Sequence, residues 1–190
     1  MEPPAFTDLR TYGAHLGDVS FWEPYVRTIL ARHRLARQGA RGVSAPSIVS
    51  GFVGTFPTFL VGEVVIKLFG GFPSWRTCHD AELAAHLLLA EHPSIPAPEL
   101  LAHGRLDDDP EAPWPYLVTR RLSGVAWRDA DLLEDDRRRV VAALGPIVRE
   151  IHELRPPAQV WPNRPLAHRA SVVERHLAWG TLPRHLIEQI

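Results

Sequence analysis

The lysine that ends the run EVVIK is the first residue to consider for chemistry, because it is the only lysine in the chain. The sequence has 21 Lys and Arg residues in total, so every other one is arginine. A lysine at the end of a buried strand presents a compact ammonium on a flexible stem, whereas arginine presents a wider planar fork. Such an ammonium suits phosphate oxygens as a point charge. Lys67 is therefore a candidate phosphate ligand.

Glu82 is the candidate partner of Lys67, because it lies on the helix predicted to follow the strand. A carboxylate at that place could hold the ammonium in position. Ion pairs between strands and helices also occur for structural reasons, and a lysine at a strand end can simply extend into solvent. The spacing alone leaves both interpretations open.

A glycine-bearing stretch, SGFVGTFPTFLVG at residues 50–62, precedes Lys67. It matches neither G-x-x-x-x-G-K-[ST] nor G-x-G-x-x-G, so neither of these phosphate-loop motifs is present. Taken alone, the stretch indicates a hairpin with glycine in its turn.

Other polar groups give weaker signals. The run Asp107–Asp109 lacks the EF-hand spacing and is typical of a solvated turn. The ten histidines form no H-E-x-x-H motif and have no paired cysteines beside them, which argues against a zinc site. Cys78 is the only cysteine, and its neighbour His79 would not face it on a helix. We predict no metal ligand among these residues.

The hydrophobic pattern predicts the elements that would position Lys67. β-Branched and aromatic runs separated by glycine and proline indicate strands, and apolar residues at helical spacing indicate helices. The predicted strands are residues 47–52, 58–62, 63–70, about 100–106 and about 116–122. The predicted helices are about 21–36 with Ser20 as N-cap, about 74–91, about 132–154, 170–177 and 183–190. Residues 1–19 show no clear period and are expected to be a loose lead-in.

This order predicts an α+β fold with a five-stranded antiparallel lobe, one main helix and a helical part after it. The first predicted domain is an N-terminal extension with a helix, residues 1–46. The second is the strand-rich lobe, residues 47–122, and the third, residues 123–190, is a hinge exit with an incomplete helical lobe. The composition changes at Ser123-Gly124, which sets the second boundary.

Bulk composition narrows the class of protein. The formal net charge of −1 gives no field that would attract nucleic acid or an anionic membrane. No apolar run approaches the roughly 18 residues of a membrane-spanning helix. One cysteine excludes an internal disulfide and suits a reducing compartment. We therefore expect a cytoplasmic protein with neither nucleic-acid nor membrane partners.

Four segments, in this order and spacing, resemble the aminoglycoside phosphotransferases and related small-molecule kinases, which share the protein-kinase-like fold. The segments are VVIKLFGG, DAELAAHLLLAEHPSIPAPELLAHG, PWPYLVTRRLSG and LGPIVREIHEL. Two more, FWEPYVRTILARH and HLAWGTLPRHLIEQI, are most similar to the hygromycin-phosphotransferase branch. The resemblance covers nearly the whole chain and rests on the series rather than on any single piece.

The resemblance implies a nucleotide site around Lys67. Lys67 would hold the α- and β-phosphates of ATP or GTP, and Glu82 would orient it. The stretch Gly51–Thr58 would form the loop over the nucleotide, with Gly51, Gly54, Thr55 and Thr58 as candidate contacts. This agrees with the physics of phosphoryl transfer, which depends mainly on positioning and on neutralising charge.

The resemblance also implies a base pocket and an acceptor. Thr119 would lie at the back of the adenine pocket, and the backbone of Arg120 and Leu122 would bond the base. The acceptor would be an aminoglycoside or a similar hydroxylated small molecule, and the activity would confer antibiotic resistance.

The catalytic loop of that family has no counterpart in this sequence. It consists of a His-Gly-Asp stretch, a metal-binding Asn and a later metal-binding Asp. The only Asn is Asn163, and Ala158 stands where the Asp should precede it; Asp129 follows the hinge too closely and has Glu134 in place of the Asn. We therefore assign no catalytic residue and no Mg²⁺ ligand, and expect Mg²⁺ only with a further C-terminal segment.

Two functional hypotheses follow. The chain is the N-terminal portion of an ATP-dependent small-molecule phosphotransferase, inactive by itself, or it is a non-catalytic nucleotide-binding or pseudokinase-like module. An α+β domain without a ligand is the third possibility. The sequence does not specify the acceptor.

Overall fold

The computed structural model describes residues 2–35, 46–107, 109 and 113–155. The patterns predicted as helices at 170–177 and 183–190 lie outside these residues, as do Ala158 and Asn163. The helices are α1 (Leu9–His15), α2 (Val19–Arg32), α3 (Trp75–Ala90) and α4 (Glu134–Glu153), with a 3-10 turn at Trp127–Asp129 before α4. No helix within the described ranges is long and apolar enough to cross a membrane.

Five strands form one antiparallel sheet, as predicted. They are β1 (Ile48–Ser50), β2 (Thr58–Val61), β3 (Val64–Leu68), β4 (Leu100–Arg105) and β5 (Pro115–Arg120). Their order across the sheet is β1-β2-β3-β5-β4, so β5 lies directly beside the strand of Lys67. The predicted α+β class is confirmed, whereas the domain boundaries at 46/47 and 122/123 stay predictions.

One face of the sheet packs against α2, because the alternation of a strand sends every second side chain to that face. In β3, Val64, Ile66 and Leu68 are buried in the same cluster as Trp22 and Val26 of α2. The opposite face packs against α3 through a second, smaller cluster with Phe56, Phe69 and Leu117 at its centre. Lys67, between Ile66 and Leu68, belongs to this second face.

The N-terminal segment is ordered over its described residues, 2–19, and there the expectation of a loose lead-in at residues 1–19 was wrong. Asp8 caps α1 by accepting a hydrogen bond from the Thr11 amide (2.7 Å), and Tyr12 is buried. The segment lacks a period because isolated aromatic side chains, rather than a continuous stripe, attach it to the core. The predicted N-cap of α2 was also wrong: Asp18, not Ser20, accepts from the Phe21 amide (3.2 Å).

The pair Gly70-Gly71 lets two aromatic rings approach the end of β3. A Cβ added at Gly70 would lie 2.5 Å from an atom of the Trp114 indole, far inside van der Waals contact. Trp114 cannot yield, because it is fully buried and its indole N–H donates to the Pro4 carbonyl (2.7 Å). Its backbone amide also donates to the Phe69 carbonyl (2.8 Å). Gly70 is therefore required by packing.

We predict that Gly70→Ala lowers the free energy of unfolding by about 1–3 kcal/mol, the usual cost of overpacking a core. Gly13→Ala is the control, because Gly13 lies within α1 with no neighbouring atom near an added Cβ. There alanine should be neutral or stabilising by about 0.5–1 kcal/mol. Urea unfolding monitored by tryptophan fluorescence measures both, and a Gly70→Ala chain as stable as the wild type would contradict this packing.

Candidate functional site

The centre of the candidate site is an ion pair between the sheet and α3. The Lys67 ammonium lies 2.5 Å from a carboxylate oxygen of Glu82, and the two side chains are 30% and 35% exposed. Two aromatic rings flank the ammonium, with ring centroids 5.0 Å (Phe69) and 5.9 Å (Phe56) from Nζ. The structure thus brings together the two residues that the sequence analysis paired, and holds a partly exposed cation at a fixed place.

The stretch Gly51–Thr58 ends beside Lys67, and its first residue is hydrogen-bonded to its last. Thr58 is the direct cross-strand neighbour of Lys67, and the Gly51 amide donates to the Thr58 carbonyl (2.8 Å). A Cβ at Gly51 would lie only 3.0 Å from that carbonyl oxygen, so glycine permits the close approach. Gly54 and Thr55 are exposed at the tip. The predicted hairpin is present, although β1 ends at Ser50 rather than at residue 52.

Thr119 lies in a row of side chains that crosses four strands next to Lys67. The cross-strand pairs Val49–Leu60, Leu60–Val65 and Val65–Thr119 align these residues. The row shares the face of Lys67, because Val65 precedes Lys67 by two positions in β3. All four are at least partly exposed, Val49 by 53%. Together they form an open, mostly apolar wall.

The family resemblance implied a role for Thr119, whereas the three apolar members of this row were not predicted. The alternation of VVIKL and TFLV could have indicated them, because every second residue of a strand lies on the same face of the sheet and Lys67 marks that face. An exposed valine or leucine on a sheet face is common by itself, however, and needs no functional explanation. Only the strand register shows that these side chains form one continuous surface.

The predicted hinge residues lie at the end of β5 and just beyond it. The Arg120 amide donates to the Glu99 carbonyl (2.8 Å), and the Arg120 guanidinium pairs with the Glu99 carboxylate (2.8 Å). Because the Arg120 amide is already used, a backbone hydrogen bond between Arg120 and a base would use the Arg120 carbonyl oxygen as acceptor. Leu122 lies just beyond the strand with an exposed side chain. The assignment of both residues to a base pocket stays a prediction.

Metal ligands do not converge in the part of the chain that the structure describes. No group of three or more His, Cys, Asp and Glu side chains there could hold a metal ion. In the acidic run, the Asp109 amide donates to the Asp107 carboxylate (2.8 Å), a local turn hydrogen bond of the kind expected for a solvated loop.

Comparison with known proteins gives this geometry a family. Residues 55–188 match APH, the phosphotransferase enzyme family. The chain is also similar to the solved structure of the GDP and kanamycin complex of APH(2")-IIia, with a TM-score of 0.57 and 17% sequence identity. That match covers 87% of this chain and 55% of the other, so this chain spans about half the length of that protein.

The structural match supports the fold, and the family match identifies the lineage. The five-stranded antiparallel sheet with its α3 helix is the arrangement expected for the kinase-like fold of aminoglycoside phosphotransferases. Similarity to the hygromycin branch stays a prediction. Because the family match extends over well more than half of the 190 residues, this chain belongs to the phosphotransferase enzyme family.

Proposed function

We propose that this chain binds ATP or GTP as the N-terminal part of a phosphotransferase whose acceptor is an aminoglycoside or a similar hydroxylated small molecule. The observation that carries the proposal is the Lys67–Glu82 pair, held on the open sheet face beside the glycine-bearing loop. An ammonium has three N–H donors, so one bond to Glu82 leaves two for phosphate oxygens. Glu82 and the flanking rings keep Lys67 in place without covering it.

The loop Gly51–Thr58 would contribute the second group of phosphate contacts. Its glycines allow the backbone to approach a ligand closely, and its tip residues Gly54 and Thr55 are exposed. The row of Val49, Leu60, Val65 and Thr119 would supply the surface on which the base lies. The Arg120 carbonyl and the Leu122 backbone would then provide the polar contacts to the base edge.

The choice of ligand is supported by the similar structure, which holds GDP and kanamycin. A cytoplasmic location is part of the proposal, because a single thiol suits a reducing compartment. A role in antibiotic resistance is also part of the proposal. The described residues offer no ligand cluster for the Mg²⁺ that phosphoryl transfer normally uses. The proposal therefore assigns no metal residue and no transfer step to this chain.

A non-catalytic nucleotide-binding module is the second candidate. It requires only the Lys67–Glu82 pair and the loop beside it, both of which lie within the described residues. Both candidates require nucleotide binding at Lys67. They differ in whether a further segment completes the chemistry.

We predict that Lys67→Ala weakens ATP binding by about 10- to 100-fold, because a hydrogen bond to a charged group contributes about 1.5–3 kcal/mol. The unfolding midpoint should change little, since both side chains of the pair are partly exposed. Titration of a fluorescent ATP analogue, with ATP as competitor, measures the affinity.

Arg27→Ala is the matched control, because it also removes one cation from an ion pair (Arg27–Glu23, 2.8 Å), but on α2 behind the sheet. Its ATP affinity should equal that of the wild type. Wild-type affinity in Lys67→Ala would overturn the assignment of the lysine. A wild-type chain that binds no ATP would overturn the proposed function itself.

The apolar row gives a separate prediction. Val65→Phe places a bulkier side chain on the surface proposed for the base, so ATP affinity should fall about tenfold, equivalent to about 1.4 kcal/mol. Val141→Phe makes the same change at an exposed position of α4 and should have no effect. Circular dichroism checks that both variants are folded. Equal affinities of the two variants would show that the base does not lie on this row.

A further inference from the structure

The loop Gly51–Thr58 is connected to α1 through one buried hydroxyl. The Tyr12 phenol donates a hydrogen bond to the backbone carbonyl of Thr55, with 2.5 Å between the oxygens. Tyr12 is only 3% exposed, and burial raises the pKa of its phenol above the ordinary value, so the hydroxyl stays protonated and able to donate. This contact joins residues 43 positions apart and reaches the exposed tip of the loop.

Tyr12 is a fixed donor, because its ring is enclosed by the core. Gly71 has a left-handed backbone (φ +67°), and a Cβ there would lie 2.4 Å from the Tyr12 ring. The rings of Phe6 and Trp114 have centroids 5.4 Å and 6.3 Å from that of Tyr12. The hydroxyl therefore cannot follow the loop if the loop moves, and the hydrogen bond restrains the loop rather than the helix.

The turn between α1 and α2 lies close to the start of the same loop. A Cβ at Gly17 would lie 3.0 Å from the Ser50 hydroxyl and 3.3 Å from a methyl group of Val53. The N-terminal segment therefore approaches the loop beside its first residues and forms a hydrogen bond with it at Thr55. Both contacts come from the chain before β1, outside the sheet that carries Lys67.

The restraint on Thr55 extends to the ammonium. The next residue, Phe56, is buried with its ring 5.9 Å from Lys67 Nζ and 5.0 Å from the Phe69 ring. Pro57 then accepts a hydrogen bond from the Leu68 amide (3.0 Å). A shift of the Thr55 carbonyl would thus displace the aromatic ring that flanks Lys67.

We propose that Tyr12 is a positioning residue for the nucleotide site. Its hydroxyl holds the Thr55 carbonyl, so that the loop Gly51–Thr58 is ordered before the phosphates bind and less of the binding free energy goes into ordering it. The inference rests on the proposed function of this loop. If Tyr12 has this role, the segment before β1 contributes to nucleotide binding.

The test is Tyr12→Phe, which removes the hydroxyl and keeps the ring in the core. Hydrogen exchange without nucleotide should become about three- to tenfold faster at the amides of residues 52–56 and stay unchanged in β3 and β5. ATP affinity should fall by about the same factor, whereas the affinity for adenosine, which has no phosphates, should not change. Tyr25→Phe, on α2, is the matched control and should behave as the wild type.

The proposal is overturned if loop exchange in Tyr12→Phe equals that of the wild type, or if exchange rises while ATP affinity stays the same. Equal losses of ATP and adenosine affinity, or faster exchange throughout the sheet, would show a merely structural role and also overturn it. Failure of the proposed function is recognised separately, in the wild type: a chain that binds no ATP, or binds it equally well without Lys67, removes the basis for both.

Discussion

The ion pair between Lys67 and Glu82 connects β3 to α3 and thereby fixes the position of the ammonium on which the proposed nucleotide site depends. β3 supplies the ammonium and α3 supplies the carboxylate, 15 positions later in the chain, at a distance of 2.5 Å. Two buried clusters position these elements, one on each face of the sheet. Because the pair is only partly exposed, the lysine keeps one defined position and still has N–H donors for a ligand.

The loop and the apolar row depend on the same strand register. Thr58 and Leu117 flank Lys67 across the sheet, and Leu60 and Thr119 flank Val65 one step further along. A shift of one residue would turn Lys67 into the core behind the sheet and move Ile66 to the open face. Burial of Val64, Ile66 and Leu68 against α2 therefore determines which side chains, Lys67 among them, lie on the other face of the sheet.

Much of this arrangement could be predicted from the sequence, because its elements have strong local signals. The apolar runs with their glycine and proline breaks predicted the five strands, and the unique lysine with the helical period of α3 made Lys67 and Glu82 a candidate pair. The order β3-β5-β4 and the apolar row depend on long-range pairing, which no local pattern specifies. The N-terminal segment was missed because its attachment uses single side chains, such as Tyr12 and Trp114, and backbone carbonyls such as those of Pro4 and Thr55. Every residue has a backbone carbonyl, so the amino-acid sequence does not show which carbonyls accept such hydrogen bonds.

The most direct test of the central claim uses the fact that Lys67 is the only lysine. An acyl phosphate of ATP places a reactive carbonyl beside the phosphates; attack by a neighbouring lysine amine forms an amide and releases ATP. Mass spectrometry of the treated chain should find the acyl group on Lys67, and excess unlabelled ATP should prevent its transfer. Absence of acylation at Lys67, or acylation that excess ATP does not reduce, would contradict a nucleotide site at this lysine.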